Sequence, residues 1–118
     1  MKFLFALLFV FFTFTASANL KVFVSGGPEG GTFNPIAKGI ADYTSEKTGD
    51  TYEHSTSGGS IDNLQQVNSR NADIGITYSG DLYLGRKGFL GNKRSRQYRN
   101  VYAVAYLYGA PAHLVVLK

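Results

Sequence analysis

Three times in succession the sequence passes from a short β-prone stretch, through a loop of glycine and hydroxyl-bearing residues, into a stretch of helical period. That repeat limits the fold more than any other feature. The first stretch, Leu20-Lys21-Val22-Phe23-Val24, is ended by Gly26-Gly27. Asn34 before Pro35 reads as an N-cap followed by the first helical position, and Ile36, Ile40 and Tyr43 recur at helical spacing until Gly49 supplies a stop. Residues 51–56, rich in Thr and Tyr, make a second strand, after which Ser57-Gly58-Gly59 turns the chain. Ser60 then reads as the cap of a second helix, with Ile61, Leu64 and Val67 as one narrow buried stripe and Asp62, Gln65, Gln66 and Arg70 toward water. Asp73-Ile74-Gly75-Ile76-Thr77 reads as a third strand covered on both faces, entered through Asp73 as a turn residue and followed by helical residues 81–84.

A basic stretch carrying Arg86, Lys87, Lys93, Arg94, Arg96 and Arg99 follows, interrupted by Gly88, Gly91 and Ser95 and therefore read as a loop. Residues 101–108 are strongly β-prone, and residues 113–117, beyond Pro111, form another such run. The expected order is β-α-β-α-β-(α)-β-β. Strands that alternate with helices favour parallel neighbours joined by right-handed crossovers, so the expected class is α/β, a three-layer sandwich with a mostly parallel sheet.

Residues 1–18 have the marks of a removable export signal: Lys2, an apolar run from Phe3, and the small triplet Ala16-Ser17-Ala18. The apolar run falls short of the ~20 residues that a spanning helix needs, and polar Asn19 and Lys21 follow at once. The expected product is a periplasmic domain of residues 19–118, held together by packing alone because the chain has no cysteine. The formal net charge is +4. Exported protein meets no nucleic acid, so the basic stretch is expected to be a solvated loop with a mild attraction for anions.

In an open α/β sheet, ligands bind beyond the carboxyl ends of the strands. The three loops at that end are residues 26–33, 55–60 and 77–81, each leading into an expected helix. A helix start exposes unpaired N–H groups, and glycines let an anion approach them, so a carboxylate or phosphate is the expected ligand group. Thr32, Thr56, Ser60 and Ser79 could donate hydroxyls there, although Thr32, Ser60 and Ser79 read equally well as caps of their own helices. Phe33 and Tyr78 could wall the site, and Phe33 reads also as a core residue.

Enzyme signatures fail one by one. Gly26 to Gly31 has the outer spacing of a phosphate-binding P-loop, but Thr32 stands where that loop needs its lysine, and Pro28 and Glu29 break the dinucleotide fingerprint. Around Ser60 the lipase-like pattern ends in Asp62 where a glycine belongs, and no base is evident. The two histidines, His54 and His113, are too scattered for a metal centre. His113 reads as a structural histidine or a ligand contact, and Asp62, Asp73 and Asp81 show no pairing for acid–base work. No cofactor, metal or catalysis is expected.

Taken in order, Gly30-Gly31-Thr32-Phe33, residues 55–64 (Ser-Thr-Ser-Gly-Gly-Ser-Ile-Asp-Asn-Leu), Ala72-Asp73-Ile74-Gly75-Ile76 and His113-Leu114-Val115-Val116 resemble the TAXI family. These are the extracytoplasmic solute receptors of tripartite ATP-independent periplasmic (TRAP) transporters. The resemblance spans residues 21–118. It implies one lobe of a type II periplasmic binding protein fold, closing on a small organic anion such as a dicarboxylate or an acidic amino acid and delivering it to TRAP permease subunits. By motif match, Gly31, Thr32, Phe33, Thr56, Gly58, Gly59, Ser60, Tyr78 and Ser79 fall where such receptors contact ligand. Gly58, Gly59 and Ser60 would then offer backbone N–H groups, Thr32 and Ser79 hydroxyls, and Phe33 with Tyr78 the cavity wall.

The sequence departs from the family at Tyr108-Gly109-Ala110-Pro111-Ala112, which leaves a Tyr108 contact open, and it stops at Lys118, where a receptor crosses into its second lobe. The expectation is an N-terminal lobe without its partner lobe, from a longer receptor or a truncated product, monomeric if the second lobe is present. A lone lobe would bind its anion weakly, because an open half-site leaves the polar contacts competing with water. The alternatives are a sensory or interaction module built on the same lobe, and a truncated receptor without function.

Overall fold

The computed structural model describes residues 19–90 and 96–111. Its elements run β1 (Lys21–Ser25), α1 (Phe33–Thr48), β2 (Thr51–Ser55), α2 (Ser60–Asn68), β3 (Ile74–Gly75) and α3 (Ser79–Lys87). The sheet has the order β2-β1-β3, with both neighbours parallel to β1. No helix of the described residues is long and apolar enough to cross a membrane.

Alternation along β1 places the two helical layers. Val22 and Val24 are buried, and Val24 packs with Phe33, Ala37 and Ala41 of α1 and with Ile76. Ser25 points the other way, since its hydroxyl bonds to Asn63 of α2. Successive side chains of a strand leave opposite faces, so α1 and α2 cover opposite sides of the sheet and the fold is the expected three-layer α/β lobe. Small Ala37 and Ala41 let α1 approach the sheet closely, and Ile36, Ile40 and Tyr52 seal its margin.

Helix α1 starts earlier than the Asn34-Pro35 pair suggests. Thr32 precedes its first residue, and Asn34 and Pro35 lie inside the first turn, where a missing N–H costs nothing because the first four donors have no helical partner. Asn34 instead turns its amide back to the Gly27 carbonyl at 3.2 Å. Gly49 ends the helix as expected, in the left-handed region, with its N–H on Ser45 O.

On α2 the expected stripe is displaced. Leu64 is buried, but Ile61 is 48% exposed, and the second buried position is Asn63 at 1% exposure. Gly59, not Ser60, precedes the helix, and Ser60 makes no capping bond. The third strand is also shorter than residues 73–77. Asp73 donates its N–H to Phe23 O, while its carboxylate accepts the Phe23 N–H at 2.8 Å, so a side chain replaces a rung of the ladder. Ile74 is 36% exposed, so β3 is not covered on both faces.

Helix α3 extends beyond the expected residues 81–84 to Lys87, which places Arg86 and Lys87 in its last turn and not in a loop, a favourable position at the negative end of the dipole. Residues 101–108 form no strand. Val101 is buried and its carbonyl accepts from Arg86 Nη1, but Val104 and Tyr106 are 96% and 83% exposed. β-propensity reflects packing against neighbouring strands, and none lies alongside this segment among the described residues. The export signal, Lys93, Arg94 and the run at 113–117 lie outside the described residues.

Candidate functional site

The carboxyl ends of β1, β2 and β3 carry the three loops, and the structure brings all three together. Gly26 and Gly27 are buried under neighbouring side chains. A Cβ on Gly26 would sit 2.8 Å from His54 Nε2, and one on Gly27 would sit 3.1 Å from Phe33 Cβ. A tight turn follows, with Gly31 N–H on Pro28 O at 3.0 Å, and delivers the chain into α1. The second loop joins the first where Ser57 N–H bonds to Gly27 O at 3.2 Å and Gly26 N–H to Ser55 O at 2.9 Å.

Ser60 joins the second loop to the third. Its hydroxyl donates to Asp81 Oδ2 at 2.5 Å, accepts the Tyr78 N–H at 2.9 Å, and lies 2.8 Å from Thr77 Oγ1. The single hydroxyl proton of Ser60 goes to the carboxylate, so Thr77 is the donor in the remaining contact. Phe33 packs its ring against that of Tyr78 with centroids 5.0 Å apart. Phe33 is buried in the core, as one of its two readings had it, and its ring meets Tyr78 at the end of the third loop. Tyr78 is half exposed and lies on the outer side of the pair.

The backbone donors at Gly58 and Gly59 are not vacant. Gly58 N–H bonds to Asp62 Oδ2 at 2.8 Å, and Gly59 N–H bonds to Ser57 Oγ at 3.1 Å. Gly59 sits at φ 108° and ψ −152°, a conformation essentially confined to glycine. By contrast, the hydroxyls of Thr32, Thr56 and Ser79 are exposed and make no hydrogen bond among the described residues. Gly31 and Thr32 line an open depression with Glu29, Asn34, Pro35 and Lys38. A second depression, lined by Arg70, Asp73, Asn100 and Tyr102, lies at the amino end of β3, away from the three loops.

Asn63 lies beneath the loops. Its Nδ2 donates to Gly26 O and to Ile76 O, the latter at 2.6 Å, and its Oδ1 accepts from Ser25 Oγ at 2.7 Å and Ser57 Oγ at 2.5 Å. Ser57, Asp62, Asn63 and Asp81 were absent from the sequence-derived site. The signal for Asn63 was present, because Ser60, Asn63, Leu64 and Val67 follow the i, i+3, i+4, i+7 spacing of a helix face.

No group of three or more acids or histidines among the described residues is placed to hold a metal ion. His54 Nε2 is buried without a hydrogen-bond partner, held between Gly26 and α1, and His113 lies outside the described residues. What the arrangement offers chemically is neutral: hydroxyls, backbone amides and two aromatic faces at the mouth of the sheet, with Asp62 and Asp81 already engaged within it.

A model of the NMT1-like family, a periplasmic binding protein-like family, matches residues 24–118. No curated protein and no solved structure matches the chain.

Proposed function

Because the chain belongs to the NMT1-like family, we propose that it is a solute-binding lobe whose ligand seats over the carboxyl ends of the three strands. The observation that carries this reading is the convergence of three separate loops at the switch point of the sheet, tied by the Ser57–Gly27, Ser60–Asp81 and Phe33–Tyr78 contacts. Family membership supports a binding role outside the cytoplasm, after removal of residues 1–18. The binding is reversible and non-covalent.

The ligand is a small organic anion, a dicarboxylate or an acidic amino acid such as glutamate or 2-oxoglutarate, and its destination is a TRAP-type permease. The exposed hydroxyls of Thr32, Thr56 and Ser79, with Gly31 beside them, are the first groups it meets, and Tyr78 with Phe33 covers its apolar part. The α2 N-terminus already receives a carboxylate, that of Asp62, at Gly58 N–H. A ligand carboxylate reaches the Gly58 amide by displacing Asp62 and meets the Ser60 amide beside it, while the Gly59 N–H stays on Ser57 Oγ, and the positive end of the helix dipole favours either anion there.

Replacing Gly59 by Val together with Ser60 by Ala tests the reading. The pair changes the α2 entrance while leaving the sheet intact, and it is expected to abolish calorimetric binding of glutamate and 2-oxoglutarate with an unchanged far-UV circular dichroism spectrum. Normal binding by the double variant would place the site elsewhere.

A further inference from the structure

We propose that Asn63 is a positioning residue of this site, holding the ends of β1 and β3 and the Ser57 turn in the geometry a ligand meets, so that the site is preformed in the free chain. The inference rests on the solute-binding reading above. A carboxamide has two donor hydrogens and two acceptor lone pairs, and Asn63 uses all four: on Gly26 O, Ile76 O, Ser25 Oγ and Ser57 Oγ. Its orientation is thereby fixed, because a flipped amide would turn its oxygen against two carbonyls that cannot donate.

The partners are not scattered. Gly26 and Ile76 directly follow β1 and β3, the two strands that flank the switch point. Ser57 relays the constraint outward, since its hydroxyl gives its proton to Asn63 and accepts the Gly59 N–H. On the other side Ile76 leads into Thr77 and Tyr78, both bonded to Ser60. One buried amide therefore bonds into the first two loops, at Gly26 and Ser57, and holds Ile76, which leads into the third. Gly75 makes the close approach feasible, because a Cβ there would come 3.1 Å from Asn63 Cβ.

A structural role alone does not call for this residue. Burying a carboxamide is unfavourable until every polar atom is paired, and the adjacent Leu64 shows that the same helix face accepts an aliphatic side chain. Preorganisation is what the polar choice adds. Loops that are ordered before binding do not have to be ordered by the ligand, which raises affinity without any new contact.

The test compares Asn63→Leu and Asn63→Asp in the full chain with Leu64→Ala, which removes an equally buried neighbour that makes none of these bonds. Binding of glutamate and 2-oxoglutarate is measured by calorimetry below the melting temperature of every variant, and amide hydrogen exchange is measured without ligand. Both Asn63 variants are expected to weaken binding about tenfold and to speed exchange at Gly59 and Tyr78 selectively, leaving residues 22–24 protected. Leu64→Ala is expected to melt lower and yet keep its affinity. If Asn63→Leu does not fold, Asn63→Ser, which keeps one donor and one acceptor, carries the same comparison. Native affinity together with native exchange at Gly59 and Tyr78 in a folded Asn63 variant would overturn the proposal. Failure of the unaltered chain to bind either probe would count against the solute-binding reading, and the exchange pattern would still decide the role of Asn63.

Discussion

The Ser60 hydroxyl donates to the Asp81 carboxylate at 2.5 Å, so the residue that opens α2 is bonded to the first turn of α3 and not to its own helix. A side chain expected to cap one helix instead ties two loops together. Ser60→Ala removes three contacts and leaves the Tyr78 N–H without its acceptor. It is expected to cost about 1 kcal/mol, as for a partly buried hydrogen-bonded group, read as a lower urea midpoint at unchanged slope.

Gly59 and Gly39 are expected to respond to alanine with opposite signs. At Gly59 the φ of 108° strains any side chain, and Gly59→Ala is expected to destabilise by about 1–3 kcal/mol. Gly39 lies inside α1 with open space around it, and Gly39→Ala is expected to stabilise by about 0.5–1 kcal/mol through helix propensity. Thermal and urea unfolding of the two variants check both signs.

Arg70 is the one non-glycine residue at positive φ among the described residues, at 63°, where the chain leaves α2. Its N–H bonds to Val67 O and that of Asn71 to Gln66 O, an ending that glycine forms without steric cost. Arg70→Gly is expected to raise stability by about 1 kcal/mol, the penalty an L-residue bears there. A melting curve at fixed salt reads it.

Asp62 competes with the proposed ligand for the Gly58 N–H. Asp62→Asn removes the charge and is expected to tighten glutamate binding severalfold while slightly lowering stability, because the amide oxygen is a poorer acceptor at a helix N-terminus. Calorimetry of the two proteins at equal ionic strength checks the direction, and weaker binding by Asp62→Asn would show that the carboxylate assists the ligand.

The framework of β1, α1, β2 and α2 was legible because hydrophobic period and loop chemistry agree there. Gly49 shows this well, since a glycine after a periodic run meant a helix stop and is one. Residues 101–108 were misread because their Val and Tyr content reports a willingness to pair, while a strand needs an edge to pair with. Helix α3 was underestimated because Gly80 and Gly85 depress its propensity, although Gly85 is the residue that lets Tyr98 and Leu90 pack against it. At the candidate site, the meeting of the three loops at the carboxyl ends of the strands could be anticipated from the β-α-β order, and with it the nearness of Phe33 and Tyr78. Asn63 could not be anticipated as a bridge, because its partners Gly26 and Ile76 lie 37 and 13 residues away and meet it only through the parallel topology.

The central claim, that the three loops form one binding surface, is tested most directly by following backbone amide resonances as glutamate or 2-oxoglutarate is added. Saturable shifts are expected at residues 31–33, 56–60 and 77–79 together, with one common dissociation constant. Saturable binding with shifts confined to the depression at Arg70, Asp73, Asn100 and Tyr102, or no shifts at the three loops, would contradict it.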